Sequence, residues 1–543
     1  MLKTLSRKSS QLALVVLAII LAWTVISSPY KNSPAIRADG VGYHIWVNAF
    51  KSGDFNFCHY KALLNPTSSI SFVNEEKSRC GIKYPPGVAM LQFPFVAYWV
   101  SPDVTLGYSL EQHMAALLIA AVLLLLWSVF SYQSLALLGC PAHIRLITLT
   151  AFILGSGLLH YATYDAALSH IYSAFGVSAL LWIVIKSGRS GWTLFFWVAL
   201  ALLSFWLCLV RPTNVIITFA VLVFSWMDAS TRTRLIVSLL WAIATAVAAL
   251  LMLGYNYYVT GHLIFSSYGT EKFVALGSHV YDVLLSYTRG FALYQPVIIF
   301  TAVLAVCLSR NVLSALFIGL LVIFTVLYSS WHSWTLGSGF GHRGFVELSS
   351  WGVLVLGLSL SRLRRYGLPL ALSGIMACCY VTVAIMISYW QGHYPFSDAS
   401  RVDYFQSVFP FLRLERFKLT YSQAEFREIS LAMVQKTNTE KGIVIDLSLK
   451  NKSAKTFYAL PSIYSPVRIG WRFLDAQGEP ATSWDDTRQD IPADLRAKDD
   501  LSVSITIDPN TMVKGGFLQV SAVQESKFWL HDVGVKPLEI PWD

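Results

Sequence analysis

Eleven apolar runs divide the first 390 residues of this 543-residue chain, and nothing else in the sequence constrains its fold as tightly. They lie at roughly 11–28, 113–138, 146–160, 169–186, 192–210, 213–227, 235–258, 292–308, 312–330, 346–361 and 367–390. About 20 helical residues cross the hydrocarbon of a bilayer, and several of the runs are somewhat shorter. In lipid every backbone N–H and C=O must find a partner inside the protein, which leaves helix as the form for such runs. The sequence therefore predicts an all-α polytopic membrane bundle of about eleven transmembrane helices over residues 1–390. Only 13% of the chain is charged, about half the density of a soluble domain. The first run follows Lys3, Arg7 and Lys8 but lacks a small-residue cleavage site, so it reads as an uncleaved helix.

The formal net charge of +10 invites a nucleic-acid partner, but the basic residues sit in short clusters between apolar runs. Membrane topology accounts for that spacing, because cytoplasmic loops are rich in Lys and Arg. With the N-terminus inside, alternate short loops carry Arg145, Lys186 and Arg189, Arg232 and Arg234, Arg310, and Arg362, Arg364 and Arg365. Eleven crossings then place loops 29–112 and 259–291, and everything after Trp390, on the extracytoplasmic face. Loop 29–112 holds a further apolar stretch, Gly87 to Val100, broken by Pro94 and too short to span; it reads as interfacial or re-entrant. Cys58 and Cys80 share this loop and pair if it faces an oxidising compartment, or stay as free thiols. Residues 391–430 read as a connector with some helix. From 431 to 543 short alternating segments, Val467–Leu474, Leu501–Ile507 and Phe517–Val523, separated by turn residues, predict an extracytoplasmic β-sandwich.

Few polar residues in such a body lack an ordinary explanation. Asp39, in Arg37-Ala-Asp39-Gly-Val-Gly-Tyr43-His44, follows the first run, with two glycines that allow a sharp turn beside the carboxylate. It reads equally as interfacial decoration. Lys83, in Lys83-Tyr84-Pro-Pro-Gly87, stands on a corner stiffened by two prolines, where it suits a phosphate or simply snorkels. Arg211 interrupts a long apolar stretch, where a buried Arg costs about 2.5–3.5 kcal/mol; it marks either a site or a helix turn. His342 and Arg343 lie in a glycine-rich aromatic loop that also holds Trp331 and Trp334, two sugar-stacking candidates. Asp165 and His170 bracket another helix mouth; for His170 a satisfied structural histidine is the plainer reading. No Cys/His spacing suggests a structural metal, and no P-loop or dinucleotide fingerprint is present.

These residues carry a resemblance. An Asp after the first run, a long loop ending in a YPPG-like element, and Trp331-His-Ser-Trp334…Gly339-Phe-Gly341-His342-Arg343 resemble the GT-C glycosyltransferases. The nearest groups are the protein O-mannosyltransferases and lipid A aminoarabinose transferases, with their bacterial relatives. The similarity is densest over residues 30–100 and 331–345, diffuse between them and absent from the tail. One departure is that Gly40 stands where the mannosyltransferases have the second acid of a pair. The resemblance implies a GT-C-like body that moves a sugar from a polyprenyl phosphate, with Asp39 as general base. Lys83, Arg343, Arg289 and Arg211 would hold the donor phosphate. Tyr43, Tyr84, Asp165, His170, Trp331, Trp334 and His342 would face donor sugar, acceptor or a cation. A divalent metal is left open. The tail resembles the immunoglobulin-like sandwiches appended to sugar-handling enzymes.

The expected protein is thus an inverting, polyprenyl-phosphate-sugar-dependent glycosyltransferase in a bacterial cytoplasmic membrane, acting on an extracytoplasmic glycan, lipid or protein. The alternative is a transporter or flippase of lipid-linked sugars, which should show midplane charges and related halves; a scaffold presenting the sandwich is a third. The topology is directly testable. Reporter fusions at Lys186 and Gln391 are expected on opposite sides of the membrane, and the same side for both would refute eleven crossings.

Overall fold

A computed structural model of the chain describes residues 35–64, 70–74, 77–101, 108–227, 229–264, 271–337, 339–363, 367–390, 394–395, 399–409, 421–439, 442–457, 466–484, 487–507, 516–525 and 528–542. The first apolar run, 11–28, lies outside the described residues, as do Arg364 and Arg365. The chain divides into two compact units, Met1–Trp390 and Gln391–Asp543.

Each of the ten later apolar runs is helical. Among the described residues six helices are long and apolar enough to cross a membrane: Leu110–Leu137, Ser169–Ser190, Thr231–Thr260, Val312–Ser329, Arg343–Ser361 and Gly367–Trp390. The chain is accordingly a multi-pass membrane protein. Ala142–Gly155, Leu194–Val210, Asn214–Ser225 and Pro296–Leu308 are shorter apolar helices. The breaks are local: Arg211 and Pro212 separate Leu194–Val210 from Asn214–Ser225, and Pro296 supplies the first residue of its own helix. Starts elsewhere are capped. Ser109 and Gln112 exchange a reciprocal pair of bonds before Leu110–Leu137, and Ser230 and Asn311 cap Thr231–Thr260 and Val312–Ser329.

Thr231–Thr260 shows what kind of surface this is. Val237, Ala244 and Ala248 form its buried stripe, while Leu235, Leu239, Ile243, Val247 and Leu250 are exposed. A helix that is apolar all round, with one face outside the protein, belongs in lipid. Inside the bundle, Ser350 ties three helices together: its Oγ accepts from Trp127 Nε1 at 3.0 Å and donates to Ala174 O at 2.8 Å. Such bonds replace the hydrophobic drive that lipid removes.

The segment before the first described crossing is structured. The hairpin of β1 (Ile70–Asn74) and β2 (Arg79–Ile82) is joined by a Cys58–Cys80 disulfide to the 3-10 helix Phe57–Leu63. Gly87–Val96 forms a helix around Pro94, with Val88, Ala89, Gln92 and Val96 buried, Phe95 exposed within it and Tyr98 exposed beyond it.

The second unit contains two antiparallel sheets. One has the order β3–β4–β7, from Ile429–Thr439, Gly442–Asn451 and Asp500–Ile507. The other runs β10–β8–β5–β6, from Leu538–Trp542, Gly516–Gln524, Val467–Leu474 and Arg488–Asp490, with β9 (Phe528–Trp529) on β8. Leu447 stands opposite Val503 and Ile445 opposite Ile505, so alternate residues of both strands point inward. They join Val467, Ile469, Leu518 and Val520 of the other sheet in one apolar cluster.

Candidate active site

A cavity of about 270 Å³ in the first unit gathers charged side chains from five distant parts of the chain. Asp39 opens the short helix Asp39–His44, immediately after Ala38, whose φ of 45° makes the turn. The two glycines that follow do not turn the chain, as the sequence suggested; they lie within the helix and permit close packing. A Cβ on Gly42 would overlap the Tyr84 ring, and one on Gly40 would press on Ala167. Gly42 therefore lets Tyr84 approach, and Tyr84 donates its hydroxyl to Asp39 Oδ1 at 2.7 Å. Tyr43 packs beside it, ring centroids 4.8 Å apart.

Lys83 precedes Tyr84. Gly87 begins the helix Gly87–Val96 at a point where a Cβ would run into the backbone of Leu209 and Val210. Trp206 Nε1 donates to Gly87 O at 2.8 Å across that contact. The corner carrying Lys83 is thereby docked against the helix end that presents Arg211. Lys83 Nζ lies 2.7 Å from Glu271 Oε1.

Arg343 donates to Asp39 Oδ2 and to Leu336 O. Arg211 Nη1 donates to Glu347 Oε1 at 2.6 Å and lies 2.8 Å from His170 Nδ1. His170 and Trp331 complete the set of expected residues on the cavity wall, and Trp331 meets the edge of Phe273. The cavity thus brings together Asp39, Tyr43, Lys83, Tyr84, His170, Arg211, Trp331 and Arg343.

Four expected residues lie elsewhere. Arg289 is buried and donates to Gly339 O, bracing the glycine-rich loop from behind. His342 is fully buried, and burial holds its ring down to about 3; the neutral ring donates Nε2–H to Trp334 O at 2.9 Å. Trp334 stacks on His279. These three shape the loop that delivers Arg343 and stand outside the cavity lining. Asp165 accepts from Arg37 Nε and Nη2 on one oxygen and from His160 Nε2, at 2.8 Å, on the other. Because Trp390 Nε1 donates to His160 Nδ1, the His160 proton sits on Nε2 and points to Asp165. Burial opposes the Asp165 charge, yet His160 and Arg37 hold its carboxyl well below the ordinary range.

Two carboxylates were missed. Glu271 lines the cavity, and Glu347 stands behind Arg211 and His170. Glu347 is the one acid in the apolar run 346–361, a signal that alone marks a functional candidate. Glu271 sits in a polar loop and has no such mark. Among the described residues no group of three or more His, Cys, Asp or Glu is set to hold a metal ion.

The charges on the wall nearly cancel. Lys83, Arg211 and Arg343 face Asp39 and Glu271, with Glu347 behind. Burial disfavours the Asp39 charge, but Arg343, the Tyr84 hydroxyl and Lys83 outweigh it and hold the carboxyl below its ordinary range. The site therefore offers an ionised carboxylate and three fixed cations.

No family model matches the sequence, and no curated protein matches it. Among solved structures, ArnT from Cupriavidus metallidurans aligns in its apo state over 70% of this chain and 67% of its own, with 12% identity and a TM-score of 0.43. Its undecaprenyl phosphate-bound form aligns over 70% and 68%, with 13% identity and the same TM-score. The oligosaccharyltransferase AglB from Archaeoglobus fulgidus, with an inhibitory peptide and a dolichol-phosphate, aligns over 73% of this chain and 57% of its own, at 11% identity and TM-score 0.41.

The depressed Asp39 carboxyl has a consequence for stability. A folded value below the unfolded one, about 3.9 for Asp, stabilises the fold above that pH, and the gain is lost as pH falls through the folded value. Arg343→Gln removes the main cause. Thermal unfolding is expected to separate the two proteins at pH 7, with the wild type higher, and the gap is expected to narrow only as pH falls below the ordinary Asp range; an offset that stays constant through that acid range would contradict the assignment.

Proposed function

We propose that this chain is an inverting GT-C glycosyltransferase that moves a single sugar from a polyprenyl phosphate to an extracytoplasmic glycan, lipid or protein. The observation carrying this reading is that one cavity combines two carboxylates, Asp39 and Glu271, with three cations and adjoins an apolar chamber. That chamber, about 240 Å³, is lined by Pro212, Thr213, Phe273, Leu327 and Tyr328, and it shares Arg211, Trp331 and Leu336 with the polar cavity. A donor of this class is an anionic phosphodiester attached to a long apolar tail. The two chambers match its two halves, with Arg211 at the junction.

In the reaction the acceptor hydroxyl attacks the anomeric carbon from the side opposite the phosphate. Asp39 takes the hydroxyl proton, and the electron pair of the breaking bond stays on the phosphate oxygen. Lys83, Arg211 and Arg343 stabilise the charge that grows there. In the empty site Arg343 and Tyr84 weaken Asp39 as a base. An arriving phosphate gives Arg343 a second anion to bind, which loosens its hold and raises the basicity of Asp39 once donor is present. Tyr84 keeps the carboxylate aimed. Trp331 offers an aromatic face to the sugar, and Glu347 orients Arg211 and His170. Arg289, His342 and Trp334 support the loop.

The wider reading has its own support. The basic short loops and the helical runs support eleven crossings with the N-terminus cytoplasmic and the tail outside, in a bacterial cytoplasmic membrane. The apolar cluster shared by two antiparallel sheets supports an immunoglobulin-like sandwich.

Asp39→Asn keeps the size of the side chain and removes the base. Transfer by the purified variant is expected to fall by roughly 10²–10⁴-fold, while binding of the lipid donor is retained. Full transfer by a correctly inserted Asp39→Asn protein would remove Asp39 from the chemistry.

A further inference from the structure

We propose that Glu271 is a product-release residue, a carboxylate placed at the phosphate seat to expel the spent lipid carrier. The inference rests on the phosphate-binding reading above. Each cation of the cavity has its own carboxylate: Asp39 for Arg343, Glu347 for Arg211 and Glu271 for Lys83. Asp39 is occupied with the acceptor proton. Glu347 is buried behind Arg211 and does not line the cavity. Glu271 does line it, with 30% of its side chain open, and reaches Lys83 from 188 residues away in the chain. Neither binding nor proton transfer calls for a negative charge at that point, and one there opposes an anionic ligand.

Its use lies in the change of charge during the reaction. Transfer breaks the bond between the anomeric carbon and a phosphate oxygen, forms the bond from that carbon to the acceptor oxygen, and releases the acceptor proton through Asp39 to water. The donor is a phosphodiester with one negative charge. The carrier left behind is a phosphomonoester with about −1.5 to −2 charges at pH 7. A carboxylate beside the phosphate seat therefore repels the product more strongly than the substrate. The cations that stabilise the departing phosphate would otherwise hold the product most tightly of all. Glu271 also takes back Lys83 as the product leaves, so the ammonium is not stranded in a confined site.

The test uses the full chain in phosphatidylcholine nanodiscs, titrated with farnesyl phosphate, its methyl diester and inorganic phosphate. Removing one neighbouring charge shifts an anion equilibrium by about tenfold or more, and repulsion scales with ligand charge. Glu271→Gln is expected to bind farnesyl phosphate about tenfold more tightly than wild type, and the diester only about threefold more tightly. Glu271→Asp should stay close to wild type. An equal gain for both esters, or no gain for the monoester, overturns the role of Glu271. If Lys83→Ala loses both esters while Glu271→Gln matches wild type, the phosphate reading stands and Glu271 falls. Failure of both esters to bind wild type removes the two together, and inorganic phosphate binding as tightly as farnesyl phosphate overturns the lipid part.

Discussion

The ion pair between Asp39 and Arg343 joins residues 304 positions apart, and the geometry of the cavity depends on it. A partly buried carboxylate and guanidinium are each costly alone and tolerable together, so each fixes where the other must lie. Around that pair the chain arranges supports. Gly42 admits Tyr84 to the carboxylate, and Gly87 docks the Lys83 corner on the helix end that carries Arg211. Arg289, Tyr161 and Gln295 hold the loop that presents Arg343 by bonding its carbonyls at Gly339, Phe340 and His342. Most of the packing near the site therefore serves to place five charges.

Those charges explain why the empty cavity is stable. Three cations alone would repel one another and lose their water without return; pairing with carboxylates offsets the repulsion and part of the desolvation cost. Under the proposed function the same pairing makes the site responsive. A phosphate competes with Asp39 for Arg343 and with Glu271 for Lys83, so binding the donor redistributes charge without requiring new cations.

Much of the body was legible in the sequence because lipid leaves a chain few choices. A run of 18 to 25 apolar residues between basic clusters can only be a crossing helix, and the helices fall where the runs are. Shorter runs were less informative, since Asn214–Ser225 has 12 residues and length no longer separates crossing from packing. In the tail, β5, β7 and β8 show period-two alternation. β3, exposed along most of its length, carries little pattern to read.

At the site, residue types on one face were readable and side-chain directions were not. Asp39, Lys83, Arg211 and Arg343 stood out as charges at helix mouths, whereas Arg289 and His342 looked the same in sequence and turn into the loop instead. The turn expected of Gly40 and Gly42 failed for a related reason, because close approach is a property of the partner as much as of the glycine. Glu271 was invisible because an acid in a polar loop becomes significant only once Lys83 is found beside it. The account is tested most directly by a structure of the full chain with undecaprenyl phosphate. It predicts phosphate oxygens within hydrogen-bond reach of Lys83 and Arg343, with Glu271 displaced from Lys83 and the tail along Phe273 and Leu327. A headgroup bound elsewhere, with the Asp39–Arg343 and Lys83–Glu271 pairs intact, would contradict it.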